Sequence, residues 1–281
     1  MESCKYSEIN YKNDHNWKYF FKQLFVCSGA WSFFFILGLN LGAPTVYIPQ
    51  LRRETNHTAV SDEMTSWLCS SSGFSAIPCL FIITYLSKHY GRKIIFIIGN
   101  IDLFISLFIF YFSTTPIQIL ISHITIGFGY AACFSNNILI VAEYVSPKYR
   151  GVFLAVKSTS VVSGVWAANA IGTFLHWRYI PIFGLMLSFF AFTSIFWPES
   201  PYWLANKGRF DEAKTSYIWL NGDSDSVLKE IDNLIVSEKR NVNCKLNLNT
   251  IGKEEFYKPI LISFLLMIQY HFSGKFIFSI Y

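Results

Sequence analysis

Apolar residues in this chain come in long blocks, and polar residues are confined to the gaps between them. Six blocks run Leu24–Leu51, Met64–Ser87, Ile94–Pro116, Ile117–Ala142, Val152–Leu175 and Tyr179–Trp197, and a seventh, Ile260–Tyr281, closes the sequence. Each is near or above the roughly 17–25 residues that cross a hydrocarbon core of about 30 Å. Backbone amides inside lipid must pair within their own segment, so the blocks predict helices. The pattern is that of an all-α, polytopic membrane protein. It divides the chain into an N-terminal segment 1–23, a six-helix unit 24–197, a polar linker 198–258 and a seventh segment 259–281.

The linker has a helical pattern of its own. Phe210 to Leu220 is rich in helix formers, and Asn221-Gly222 reads as a stop. From Ser226 to Val236, the residues Val227, Leu228, Ile231, Leu234 and Ile235 fall at helical spacing and predict a second, amphipathic helix.

Composition agrees: 52% of the 281 residues are hydrophobic and 15% charged, where a soluble domain carries about 25% charged residues. The first apolar block begins only at Leu24 and is too long for the apolar core of a cleavable signal peptide. Cys27, Cys69, Cys79 and Cys133 fall inside apolar blocks and Cys4 and Cys244 in polar segments, with no disulfide framework or metal-ligand spacing.

Charge changes the picture by giving it a direction. Of the 23 Lys and Arg residues, all but Arg52, Arg53, Arg178 and Lys275 fall in the N-terminus or in alternate loops on the same side. The positive-inside rule then predicts a cytosolic N-terminus. The net charge of +5 is a topology signal that needs no nucleic-acid partner. Asn56-His57-Thr58 is an Asn-x-Thr sequon, and this topology puts Asn56 in the first external loop as a glycosylation candidate.

Three short motifs sit on the predicted cytosolic side. In "YLSKHYGRKIIF" Gly91 allows a tight turn, with Arg92 and Lys93 where the next helix enters the membrane. In "AEYVSPKYRG" Glu143 ends one span and Arg150 opens the next, so that the two are expected to pair across the link. In "FWPESPYWLANKGRFDEAK" Pro198 and Pro201 end the sixth span, with Glu199 left to meet Arg92 and Arg150.

The chain resembles the N-terminal half of a sugar porter of the major facilitator superfamily. The three motifs stand in that family's order. "GLNLGAPTVYIPQLRRETN", "SDEMTSWL", "LHWR" and "PESPYWLANKGRFDEAKTSYIWLNG" are similar to the facilitated trehalose transporter branch. The resemblance implies a multi-pass plasma-membrane protein built on two inverted three-helix repeats, moving a sugar (trehalose or a hexose) by alternating access. It implies a cytosolic gating network of Arg92, Lys93, Glu143, Arg150 and Glu199.

It also implies substrate-binding positions at Asn40, His123 and Ser158, and at Gln269, Tyr270 and His271 in the seventh span. Several depart from the family pattern. Lys88 replaces an aspartate, His123 an arginine and Ser158 a glutamine, and Phe276 stands for an asparagine. Where proton-coupled relatives carry an aspartate this chain has Asn40, which implies passive transport because an amide does not titrate.

Other polar residues fall inside the blocks. For Asp102 and His123, cavity lining and helix–helix bonding are both open. Lys157 and Lys275 are expected to snorkel toward span ends, and Ser70 to Ser75 to serve close helix packing. Trp67, Trp166, Trp177 and Trp197 are expected in interfacial belts.

No nucleophile–base pair, phosphate loop or metal cluster is present, so the sequence predicts no enzyme, cofactor or metal. Two other readings stay open, an organic-ion carrier of the same superfamily and a non-transporting sugar sensor or regulatory half. The lipid bilayer and a small-molecule sugar are the expected partners. A facilitator needs two six-helix halves, so the resemblance also implies a missing C-terminal half or a second half-transporter.

Overall fold

The computed structural model describes residues 17–54, 60–242 and 254–272. Six of the described helices are long and apolar enough to cross a membrane. They are span one (Trp17–Glu54), span two (Asp62–Tyr90), span three (Arg92–Phe112), span four (Pro116–Tyr144), span five (Pro147–Phe174) and span six (Tyr179–Phe196). No strand occurs among the described residues.

Local chemistry sets the helix ends. Ser61 accepts from the Met64 amide at the start of span two, followed by Asp62 and Glu63 in the first turn, where acids suit the helix dipole. Thr115 and Gln118 form a capping box at the start of span four, with Pro116 at the first helical position. Span four is interrupted by a π-helical turn over Cys133–Asn137, and span six tightens into a 3-10 turn over Phe192–Phe196.

Spans one and five are packed backbone to backbone. A Cβ on Gly38 would stand 3.0 Å from the Gly164 Cα and collide with the Val161 carbonyl, so this contact requires glycine. Polar pairs tie the other spans. Asn100 and Ser188 exchange two hydrogen bonds, of 3.0 and 2.9 Å, between spans three and six. Ser106 donates to the Ser122 carbonyl at 2.8 Å between spans three and four. The Asp102 carboxylate accepts from the Gly129 amide at 2.9 Å, so Asp102 serves helix–helix bonding. Outward-facing Phe81, Phe108, Met186 and Phe189 are exposed, as lipid-facing side chains are.

Two of the four tryptophans depart from the interfacial expectation. Trp67 and Trp166 are exposed, but Trp177 is 1% and Trp197 2% exposed. Trp177 stacks on Phe110, and Trp197 packs against Phe96 and Phe25. The short links before and after span six fold these two rings inward, where they plug the two ends of the bundle.

Three helices follow span six: Pro201–Asn206, Phe210–Asn221 and Asp225–Val242. The second ends at the expected Asn-Gly stop, and the third runs beyond the expected Val236. Trp203, Leu204, Ala205 and Ala213 form one small core between them, and Tyr217, Ile231 and Ile235 another. Gln23 at the base of span one holds this unit, donating to Asn221 at 2.9 Å and accepting from the Ser146 amide at 3.2 Å. Lys22 adds a bond to the Trp219 carbonyl at 3.0 Å. The N-terminal end of span one, the Gly91 and Ser146 links and the linker helices thus share one end of the bundle, here termed the basic face. The last described helix is Glu254–Phe272, which starts before Ile260. Residues 273–281 of the expected seventh span, with Ser273, Gly274, Lys275 and Phe276, lie outside the described residues, as does Asn56.

Candidate functional site

Two constellations stand out, a polar latch at the basic face and a cavity deeper in the bundle. The latch begins at Gly91, whose φ of +106° suits glycine and whose missing Cβ leaves room for the Glu199 carboxylate. Span three starts immediately after, with no side-chain cap and with basic residues in its first turn, an arrangement its dipole disfavours. Glu199 supplies the missing acid. Its Oε1 accepts from the backbone amides of Arg92, Lys93 and Ser200 at 2.9, 3.1 and 2.9 Å. Burial pushes the Glu199 carboxyl above the usual glutamate range, against the opposing pull of the Ser200, Lys93 and Arg92 amides and the Lys93 charge.

The Arg92 guanidinium turns to Glu143, at 3.1 Å, with 18% and 14% of the two side chains exposed. Arg92 also donates to Ser87 Oγ at 2.6 Å, Ser87 donates to Asn136 Oδ1 at 2.8 Å, and Asn136 Nδ2 donates back to the Arg92 carbonyl at 2.8 Å. Ser200 Oγ bonds the second oxygen of Glu143 at 2.5 Å. Lys93 Nζ reaches the Ile195 carbonyl at 2.8 Å. The linker joins in through Ser216 on the Glu199 carbonyl, at 2.5 Å, and Trp203 on the Lys88 carbonyl, at 3.0 Å.

The structure therefore gathers Arg92, Lys93, Glu143 and Glu199 and leaves Arg150 aside. Arg150 donates to the Val145 carbonyl at 3.4 Å, and its Nε is buried without a partner. The expected Glu143–Arg150 pair does not form, because Arg92 and Ser200 already occupy both Glu143 oxygens. Glu199 meets the backbone of Arg92 and not its guanidinium.

The second constellation is a cavity of about 800 Å³ between spans one, two, four and five, with Asn40, Thr45, Cys69, Ser72, His123, Tyr130 and Asn169 as its polar lining. Leu41, Pro44, Ile48, Pro49 and Leu68 supply the apolar lining. Asn40 Nδ2 donates to the Ile36 carbonyl at 2.9 Å, and Thr45 donates to Asn169 Oδ1 at 2.8 Å across to span five. His123 is 2% exposed, shares a 3.1 Å hydrogen bond with Tyr47 OH and stacks on that ring.

Of the expected substrate residues, Asn40 and His123 line this cavity. Ser158 does not, being exposed elsewhere on span five. Gln269 is exposed on the last described helix, and the side chains of Tyr270 and His271 lie outside those described. Thr45, Tyr130 and Asn169 join the cavity without having been singled out as site residues. The signal for Asn169 was its amide inside an apolar block; its pairing with Thr45 is visible only in the structure.

A family model described as "sugar (and other) transporter" matches residues 26–281. The chain belongs to that family. Among its relatives, a facilitated trehalose transporter, Tret1, of Apis mellifera ligustica is 24% identical over 250 residues, covering 85% of this chain and 48% of the relative. A galactose-proton symporter of Escherichia coli K12 is 26% identical over 263 residues, covering 89% of this chain and 54% of the relative. The chain spans about half the length of the curated relatives it matches. In fold it is similar to the partially occluded, inward-open xylose transporter XylE of E. coli, with a TM-score of 0.64 at 16% identity over 80% of this chain and 60% of that one. A second XylE structure, described as a major facilitator superfamily proton:xylose symporter, matches with a TM-score of 0.62 at 17% identity over 79% of this chain and 54% of that one. The fold is that of a major facilitator half, and the family is one of membrane transporters and not an enzyme class.

Proposed function

We propose that this protein takes part in moving a sugar, trehalose or a hexose, across a membrane, with the cavity at Asn40, Thr45, His123 and Asn169 as its share of the sugar site. The observation that carries this is the lining itself. Hydroxyl and amide groups alternate there with apolar walls, and a sugar needs both, since each unpaired buried hydroxyl costs about 1–3 kcal/mol. No carboxylate lines the cavity among the described residues, which leaves an organic cation without a counter-charge. The Arg92–Glu143–Glu199 latch then closes the basic face, taken as cytosolic, in a plasma-membrane protein that works with a second six-helix half. The division into six-helix unit, linker and following helix serves alternating access by the rocking of one half against the other. Asn40 offers no proton relay, so the transport is passive.

Labelled trehalose, glucose and tetraethylammonium, offered to proteoliposomes carrying the protein together with its second half, test the reading. Saturable sugar equilibration indifferent to a pH gradient is expected. Uptake of the cation alone contradicts the sugar site, and sugar accumulation driven by the pH gradient contradicts passive transport. A regulatory half would bind sugar without flux.

A further inference from the structure

The bond that holds His123 decides which of its ring nitrogens a ligand can meet. Tyr47 OH lies 3.1 Å from His123 Nε2, and the two rings stack with centroids 5.7 Å apart and planes at 29°. His123 lines the cavity and Tyr47 does not, so Nε2 is taken up by the packed interior. Neither ring is free to turn. Tyr47 is fully buried, and the Phe110 ring lies 5.5 Å from it and 5.6 Å from His123. Trp177 closes the group, 5.5 Å from Phe110 and 6.4 Å from Tyr47. Rings from spans one, three and four and from the link before span six thus fix the Tyr47–His123 bond.

The other nitrogen, Nδ1, has no hydrogen-bond partner among the described residues, yet it is not one of the sealed polar atoms of the bundle. The small accessible surface of His123 therefore includes Nδ1 and opens on the cavity.

Elementary chemistry then sets where the ring proton sits. No carboxylate lines the cavity among the described residues, and an unbalanced charge inside a span is costly, so the imidazole is neutral and carries one N–H. With that N–H at Nε2, the ring would donate to the Tyr47 oxygen. The phenol hydrogen would then be buried without an acceptor, since His123 is the one hydrogen-bond partner of Tyr47 OH among the described residues. With Tyr47 donating to Nε2, the phenol hydrogen is satisfied and the ring N–H falls on Nδ1. A buried donor left unmade carries its full desolvation cost, and a spare oxygen lone pair is the lesser loss. The second arrangement wins.

We propose that Tyr47 is a positioning residue that holds His123 in its Nδ1–H tautomer, so that the cavity presents a hydrogen-bond donor and binds a sugar through an oxygen acting as acceptor. The inference rests on the sugar reading and deepens it. Tyr47 touches no ligand and acts through His123, whose N–H a hydroxyl, ring or glycosidic oxygen can accept. A solute without such an oxygen, such as tetraethylammonium, leaves this donor unpaired and is selected against.

The test is heteronuclear NMR of the purified chain, labelled with nitrogen-15 at histidine, in a sugar-free zwitterionic detergent. His123 is assigned by the loss of its signals in His123→Gln, and glucose is the probe. In the wild type the proton should be on Nδ1, and saturating glucose should move the Nδ1 resonance. Tyr47→Phe removes only the hydroxyl, so it should let the two tautomers mix and weaken glucose binding about fivefold, the worth of one hydrogen bond. A proton on Nε2 in the wild type overturns the proposal, as does a tautomer or an affinity that Tyr47→Phe leaves unchanged. Should Tyr47→Phe fail to fold, the wild-type tautomer and its response to glucose decide alone. Glucose that binds by saturation transfer without moving Nδ1 defeats the proposal and leaves the sugar reading standing. No glucose binding at all defeats both.

Discussion

Glu199 caps the helix that begins at Arg92 from 107 residues away, its carboxylate taking the Arg92 amide at 2.9 Å. This makes the acid a structural part of another helix, and not simply one end of a surface ion pair. The linker that follows Glu199 is bonded to the same cluster through Ser216 and Trp203. Movement of the linker is thereby coupled to the start of span three.

Gly91 is where that coupling is most easily broken. A Gly91→Ala variant would hold alanine at a φ of +106° and push its Cβ into the Glu199 carboxylate. A cost of about 1–3 kcal/mol is expected for backbone strain of this kind. The readout is a lowered thermal midpoint, together with faster amide exchange at Arg92 and Lys93. An unchanged midpoint and unchanged exchange would show that Glu199 does not occupy this position.

The partner choice of Glu143 can be measured by double-mutant cycles. Arg92→Ala with Glu143→Gln should show a coupling of about 0.5–3 kcal/mol, the range for residues in contact. Arg150→Ala with Glu143→Gln should be additive in the state described here, since Arg150 bonds the Val145 carbonyl. Strong Arg150–Glu143 coupling with none to Arg92 would restore the pairing expected from the motif.

The latch should respond to pH with a definite sign. Burial raises the Glu199 carboxyl above its usual range, so protonation favours the closed arrangement. Its contribution is complete below the ordinary glutamate range and is lost as pH rises through the raised value. Arg92, Lys93, Glu143, Tyr144 and Ser200 face the same cluster, and Glu199→Gln isolates the contribution of Glu199. Maleimide labelling of a cysteine at Ser87 should slow on acidification in the wild-type background and lose that dependence in Glu199→Gln. Faster labelling at low pH would reverse the sign and refute the account.

The six spans were legible because the lipid environment demands continuous apolar helices, and the blocks from Leu24 to Trp197 fall within or overlap them. The latch residues were legible as types, since Gly91, Arg92, Glu143 and Glu199 stand at turns between spans. Their pairing was not, because Arg92 and Arg150 are equivalent in sequence and only the geometry of Ser87, Asn136 and Ser200 selects Arg92. Ser158 and Asn169 lie on one span, three turns apart, and which of them meets the cavity depends on how span five seats against Gly38. Trp177 and Trp197 lie at span ends as expected, but the links beside them turn both rings inward. Lys157 lies over the Phe34 ring, on the neighbouring span that Gly38 and Gly164 bring into contact.

The central claim, that a sugar occupies the cavity at Asn40, Thr45, His123 and Asn169, has a built-in reporter. Cys69 lines that cavity and is exposed, Cys79 is half-buried outside it, and Cys27 and Cys133 are buried. The direct measurement is the rate of N-ethylmaleimide addition to each cysteine, read by mass spectrometry, with and without sugar. Saturable slowing at Cys69 by trehalose or glucose is predicted, with Cys79 unaffected and the protection weakened about tenfold by Asn169→Leu, which removes a polar cavity partner. A Cys69 rate that no sugar changes, or protection that Asn169→Leu leaves intact, would contradict it.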